Sequence, residues 1–337
     1  MSGVRKATHA GSWYVADGEE LAKELAGNLS KVNPLPDLDY DPPVQNAKAI
    51  IAPHAGYSYS GPAAAWAYAA IPTDKVKRVF LLGLSHHTAL SGIALSPFAS
   101  YSTPLGDIPL DLQVIKELKD TGAFSMFNKH ADEDEHSLEM HLPYIRHVFK
   151  GRDDLKLVPL IVGHSHGPDN FSKILERYYK DPETFFIVST DFCHWGVRFN
   201  HTPYFPHAPP PPGAVPPVPH LVLPASFEPP EMIKRYNGEK GVPIWQSIQF
   251  MDHEGIDLLR RPAEDGAVEK WQAYLAQTGN TICGRNPITV LMRLVQYAHA
   301  ADEVKPTFTF VRYEQSSKCM TGRDSSVSYV SGVLRPA

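Results

Sequence analysis

Four apolar, β-rich runs constrain this chain more than any other feature: Lys48–Ala52, Arg78–Leu84, Lys156–Val162 and Thr184–Thr190. Within them apolar residues follow one another without polar alternation, as in Val79-Phe80-Leu81-Leu82 and Phe185-Phe186-Ile187-Val188. A strand that is apolar on both sides must be covered on both faces, which is the condition of a parallel sheet between layers of helices. Stretches of helical periodicity lie between the runs. The order therefore predicts an α/β fold with a mostly parallel central sheet and helices on both faces.

Helices are predicted at Gly18–Val32, Pro62–Ala70, Leu110–Asp120, Glu135–Phe149, Pro168–Lys180, Pro243–Arg260, Ala263–Gln277 and Pro287–Ala300. The segments Thr307–Glu314 and Ser326–Leu334 alternate apolar with polar or small residues, so they are expected to add antiparallel strands at one edge. Pro203–Pro230 contains Pro209-Pro210-Pro211-Pro212, and proline lacks the N–H that a ladder or helix interior requires. It reads as an exposed, proline-rich loop insertion in a single domain spanning residues 1–337, a plain surface loop being favoured over a polyproline ligand for an SH3- or WW-type partner.

Composition supports a large core: 43% of the residues are apolar and 20% charged. With a net charge of −5 and scattered basic residues, the chain lacks the footprint of a nucleic-acid binder. Met1 to Trp13 carry no apolar stretch of signal-peptide length, and no run reaches the ~18 apolar residues of a membrane span. A cytoplasmic location is expected, with the nucleus as a second compartment. Three cysteines, Cys193, Cys283 and Cys319, make an odd set that suits free thiols.

Ligands of open α/β sheets bind outside the carboxyl ends of the strands. In this chain those ends carry Pro53-His54-Ala55-Gly56-Tyr57, Leu84-Ser85-His86-His87, Gly163-His164-Ser165-His166 and Asp191-Phe192-Cys193-His194-Trp195-Gly196. A lone histidine there is usually a hydrogen-bonded structural residue. Six of them at four strand ends that converge point instead to a shared metal.

Cys283 precedes a helix that Pro287 can open. The helix dipole and Arg285 should favour its thiolate, making it a ligand or a nucleophile, whereas Cys193 and Cys319 read as structural. The acidic run Asp132-Glu133-Asp134-Glu135 leads into a helix on which His136 and Glu139 share a face. It either complements the helix N-terminus or supports His136 in proton transfer.

Taken together, His9-Ala10-Gly11-Ser12-Trp13-Tyr14, Ile50-Ile51-Ala52-Pro53-His54-Ala55-Gly56-Tyr57, Leu82-Gly83-Leu84-Ser85-His86-His87, the segment from Asp132 to Tyr144, Asp191-Phe192-Cys193-His194-Trp195-Gly196, Asn280-Thr281-Ile282-Cys283-Gly284-Arg285 and Asp324-Ser325-Ser326-Val327-Ser328-Tyr329 resemble the Memo family, named for a mediator of receptor-tyrosine-kinase-driven cell motility. The resemblance implies a fold like that of the class III (LigB-like) non-haem iron extradiol dioxygenases. It also implies a metal site at His54, His86 and Cys283 holding one iron or copper ion, with zinc as an alternative. Asp191 and His194 match further pocket positions and, with His136, are the expected catalytic groups. Trp13 and Tyr14 match an aromatic wall, and Tyr57, His87, Glu139 and Arg285 complete the expected pocket. The family is linked to iron and copper handling, redox signalling and cytoskeletal control, and its animal members to phosphotyrosine peptides.

Extradiol dioxygenases hold Fe(II) with two histidines and a carboxylate. A thiolate in the third place makes the set softer and puts a catechol reaction in doubt, while Asp191 offers a competing His54–His86–Asp191 triad. Three readings follow: a metal-dependent oxidoreductase acting on oxygen species or a small molecule, an adaptor for signalling proteins or phosphopeptides, and a hydrolase using zinc or Cys283. Dependence on a redox-active metal marks the first, partner capture without the metal ligands the second, and loss of ester hydrolysis on thiol alkylation the third.

Overall fold

A computed structural model describes residues 1–163, 170–209, 230–233 and 241–336. His164 and His166, and most of the proline-rich stretch, lie outside the described residues.

Its centre is a nine-stranded sheet with the order His194–Trp195, Ser326–Arg335, Ala49–Ala52, Thr184–Ser189, Arg78–Leu84, Lys156–Val162, Ile93–Leu95, Phe124–Met126, and with Thr307–Gln315 on the outer flank of Ser326–Arg335. The four strands expected from the unbroken apolar runs are its parallel heart. Every residue of Ala49–Ala52 and Thr184–Ser189 is buried, so both faces are covered. Tyr57–Ala69 packs on Ala49–Ala52 and the C-terminal hairpin, with Gly18–Leu29 and Leu142–Val148 against it. A second group is formed by Asn170–Lys180, Arg285–Ala298, Ala267–Thr278 and Ile244–Leu259. No helix among the described residues is long and apolar enough to cross a membrane.

The C-terminal strands pair antiparallel with each other, and Ser326–Arg335 pairs antiparallel with Ala49–Ala52, as their alternation predicts. Several boundaries differ from expectation for local reasons. The helix expected from Pro62 begins at Tyr57, with Gly56 as its N-cap and Pro62 inside it. The continuous helix expected over Glu135–Phe149 is broken into His136–Glu139 and Leu142–Val148, with Pro143 in the first turn of the second piece, where its missing N–H costs nothing. The proline-rich stretch is not exposed at its start. Pro203–Tyr204 pairs with Glu231–Met232, and Tyr204, Phe205 and Ala208 are buried with Trp195, Ile244 and Ile248 in a second apolar cluster.

Register decides where the chemistry sits. Ala52 pairs with Ser189, and Leu82 with Val188, so adjacent parallel strands finish close to one level. His54, Asp191 and His86 each stand two residues beyond the last residue of three neighbouring strands.

Candidate metal centre

His54 is buried, and its main-chain N–H donates to Asp191 Oδ1 at 2.8 Å. Its ring is fixed by a chain of two hydroxyl bonds. Ser189 Oγ donates to the Ser137 carbonyl at 2.6 Å, which leaves it only an acceptor role towards His54 Nδ1, also at 2.6 Å. The proton therefore sits on Nδ1, and Nε2 presents its lone pair. Burial, reinforced by the neighbouring His86, His136, His141 and His194, holds the imidazole neutral, well below its ordinary range.

His86 is fixed in the same sense by a carboxylate. Its Nδ1 lies 2.7 Å from Glu135 Oε1 and its main-chain N–H 2.6 Å from Oε2. Burial would raise Glu135, but the hydrogen bonds and charge of His86 outweigh it and bring the carboxyl down to about 2, so it accepts from the His86 Nδ1–H. His194 repeats the pattern with carbonyls, its Nδ1 being 2.9 Å from Phe192 O and 3.2 Å from Thr281 O. Three imidazoles thus have their Nδ1 atoms committed and keep Nε2 as the available ligand atom, an arrangement characteristic of metal-ligating histidines.

His136 stacks on the His86 ring at 4.0 Å, and its imidazole is held to about 3 by burial and by His86. His54, His86 and His136 bring ligand atoms within 4.8 Å of one another and could hold a metal ion. Cys283 Sγ lies 3.2 Å from His54 Nε2 and receives the Asp191 N–H at 3.1 Å. Gly284 makes that approach possible, since a side chain there would collide with Thr190 and the Ser189 carbonyl. The expected thiolate is not found: burial, followed by the Asp191 carboxylate, pushes the thiol up, and Arg285 is exposed, with Nη1 3.4 Å from the Ile282 carbonyl. In this state the thiol proton can sit between sulfur and Nε2, where an incoming cation would displace it. The donor set of imidazole nitrogens and one thiol fits a borderline or soft transition metal.

The histidines face a cavity of about 690 Å³. His54, His86, His136, Asp191 and His194 line it together with Trp13, Tyr59, Phe199, Tyr329 and Arg198. Burial lifts the Asp191 carboxyl to about 7, against the pull of the His54 and Ala55 N–H groups.

A family model described as Memo-like protein matches residues 5–333. The chain belongs to the Memo family. It is 38% identical over 333 residues to Protein MEMO1 of Xenopus laevis and 37% identical to Protein MEMO1 of Homo sapiens, with 98% of this chain and 97% of each relative covered. It is 36% identical to the Protein memo-1 homolog of Caenorhabditis elegans, covering 98% of this chain and 82% of that protein.

In this Memo-family pocket the other expected residues divide into wall and backing. Trp13 forms wall, its ring 4.6 Å from His136. Tyr14 and Tyr57 turn inward, donating to Glu139 Oε1 at 2.9 Å and to the Met140 carbonyl at 2.7 Å. Glu139 is buried and bonds Arg5 at 2.7 Å and His9 Nδ1 at 2.9 Å, and the His9 ring also lies 6.0 Å from that of His136. His87 is exposed, its ring 6.3 Å from that of His86. Cys193 and Cys319 are buried and free. Sequence reasoning missed Ser189, Arg198 and the hairpin residues Ser316, Ser317, Ser325 and Tyr329. Ser325 and Tyr329 belong to a recognised motif, but Ser189 ends a buried strand and carried no separate signal.

Proposed function

We propose that the pocket binds one iron or copper ion through His54, His86 and Cys283 and that the protein is a redox protein of the Memo family, built on a LigB-like, extradiol-dioxygenase-type sheet. The observation that carries this reading is the commitment of both Nδ1 atoms, to Ser189 and Glu135, which leaves Nε2 of each ring as its ligand atom, that of His54 lying 3.2 Å from the Cys283 sulfur. A bound ion would supply one-electron chemistry towards oxygen species or a small molecule. Asp191, protonated to a large extent near neutrality, would give or take the proton, and His194 is the second carrier. His136, whose ring nitrogens make no hydrogen bond among the described residues, is free to act as an additional donor. Redox signalling and metal handling in the cytoplasm suit such a centre.

A second reading, in which the pocket docks a signalling partner or phosphopeptide without turnover, is favoured by Arg198 and the serine-rich rim. A hydrolase that uses Cys283 as nucleophile is disfavoured by the raised thiol.

Elemental analysis and EPR of anaerobically purified protein test the proposal. Near-stoichiometric iron or copper is expected in the parent, with strong loss in His86→Ala and Cys283→Ser. Zinc alone, or full metal content in Cys283→Ser, would overturn the redox reading or the thiol ligand respectively.

A further inference from the structure

Behind the metal pocket stands a ladder of buried tyrosines that the proposed chemistry does not use. The ring centroids of Tyr14, Tyr57, Tyr144 and Tyr68 succeed one another at 5.5, 5.4 and 4.7 Å, the last pair stacked at 9°. These are contact spacings for aromatic pairs. At the pocket end Tyr14 is the next residue in the chain after Trp13, which is 37% exposed and whose ring meets His136.

The four hydroxyls differ in what they bond. Tyr57 donates to the Met140 carbonyl and Tyr144 to the Gly61 carbonyl, neither of which takes up a proton. Tyr14 donates to Glu139, a carboxylate that His9 and Arg5 hold at about 2 even though burial alone would raise it. Tyr68 alone of the four faces an imidazole, with its oxygen 2.6 Å from His141 Nδ1. Both residues are buried, and His141 Nε2 has no hydrogen-bond partner among the described residues.

We propose that Tyr68 is a redox-active tyrosine, with His141 as its proton acceptor and the ring ladder as its path to the pocket. A one-electron oxidant, such as a small inorganic radical reaching Trp13, is reduced by one electron. The vacancy passes inward along the rings. Tyr68 then loses one electron to the Tyr144 ring and its phenolic proton to His141 Nδ1, breaking O–H and forming N–H, so the products are a neutral phenoxyl radical and an imidazolium. Burial holds His141 near 3. A phenol that has lost an electron is a far stronger acid than the phenol itself, so transfer accompanies oxidation and reverses when a thiol or ascorbate-type donor returns the electron. The ladder gives the pocket a protected place to store an oxidising equivalent.

The test uses the full chain without metal, so it stands apart from the metal reading. Azide radicals are generated by pulse radiolysis, and the products are followed by time-resolved absorption and by high-field EPR of frozen samples. A long-lived tyrosyl signal with the signature of a hydrogen bond to imidazole is expected. It is lost in Tyr68→Phe and kept in Tyr40→Phe, a buried tyrosine outside the ladder that bonds the Trp66 carbonyl. Circular dichroism establishes that both variants fold. The same lifetime and spectrum in folded Tyr68→Phe would overturn the proposal. Should that variant not fold, 3,5-difluorotyrosine at position 68 keeps the ring and hydroxyl, and a spectrum left unshifted by the fluorines would overturn it equally.

Discussion

One hydroxyl settles which nitrogen His54 offers. Ser189 spends its proton on the Ser137 carbonyl and so must accept from Nδ1. Ser189→Ala should release the ring to either tautomer and lower metal affinity by ~10–100-fold, the usual cost of losing an outer partner of a metal-bound histidine. Competition against a chromophoric chelator measures this, and unchanged affinity would show that the ring is held by packing alone. At this scale the sequence was half legible. The histidines announced themselves by standing after apolar runs, because a strand end is visible as a change in hydropathy. The partners that orient them did not, because Ser189 and Ser137 lie 52 positions apart and meet only through folding.

Among the elements, the acidic run before His136 turns out to be scaffolding for the site. Asp132 and Glu139 are buried with Arg5, which bonds them at 3.0 and 2.7 Å and thereby ties the first strand of the chain to the short helix that carries His136. Arg5→Met should cost ~3–5 kcal/mol by leaving two carboxylates buried without their cation. Denaturant unfolding reads that loss directly, and a change below ~1 kcal/mol would mean that the carboxylates take up protons at little cost. Strand positions were legible almost to the residue at Arg78–Leu84 and Lys156–Val162, since burial on both faces leaves an unbroken apolar run. The split of Glu135–Phe149 was not read, although Pro143 signals a helix start in that position. Helical periodicity masked it, because the apolar residues Leu138, Leu142 and Ile145 are all buried at helical spacing across the break. Gly83 is part of the same arrangement: an added Cβ would lie 2.6 Å from Ser137 Oγ, so only glycine lets the His136 helix settle on the sheet.

For the whole molecule, the main apolar cluster runs from Tyr14 to Leu334 and takes in strands from both edges of the sheet. The chain should therefore unfold as one cooperative unit, with coincident far- and near-ultraviolet circular dichroism transitions and equal calorimetric and van't Hoff enthalpies. Two separated transitions would divide it, with the cluster around Trp195 and Ile248 as the natural second unit. The cavity itself is assembled from two kinds of structure. His54, His86 and Asp191 ride on strand ends whose register is locked by a core closed on both faces, whereas Arg198, Ser316, Ser317 and Ser325 ride on short connecting segments outside those strands. Substitutions in those segments should change what the cavity admits at little thermodynamic cost, whereas substitutions at the strand ends disturb the core itself.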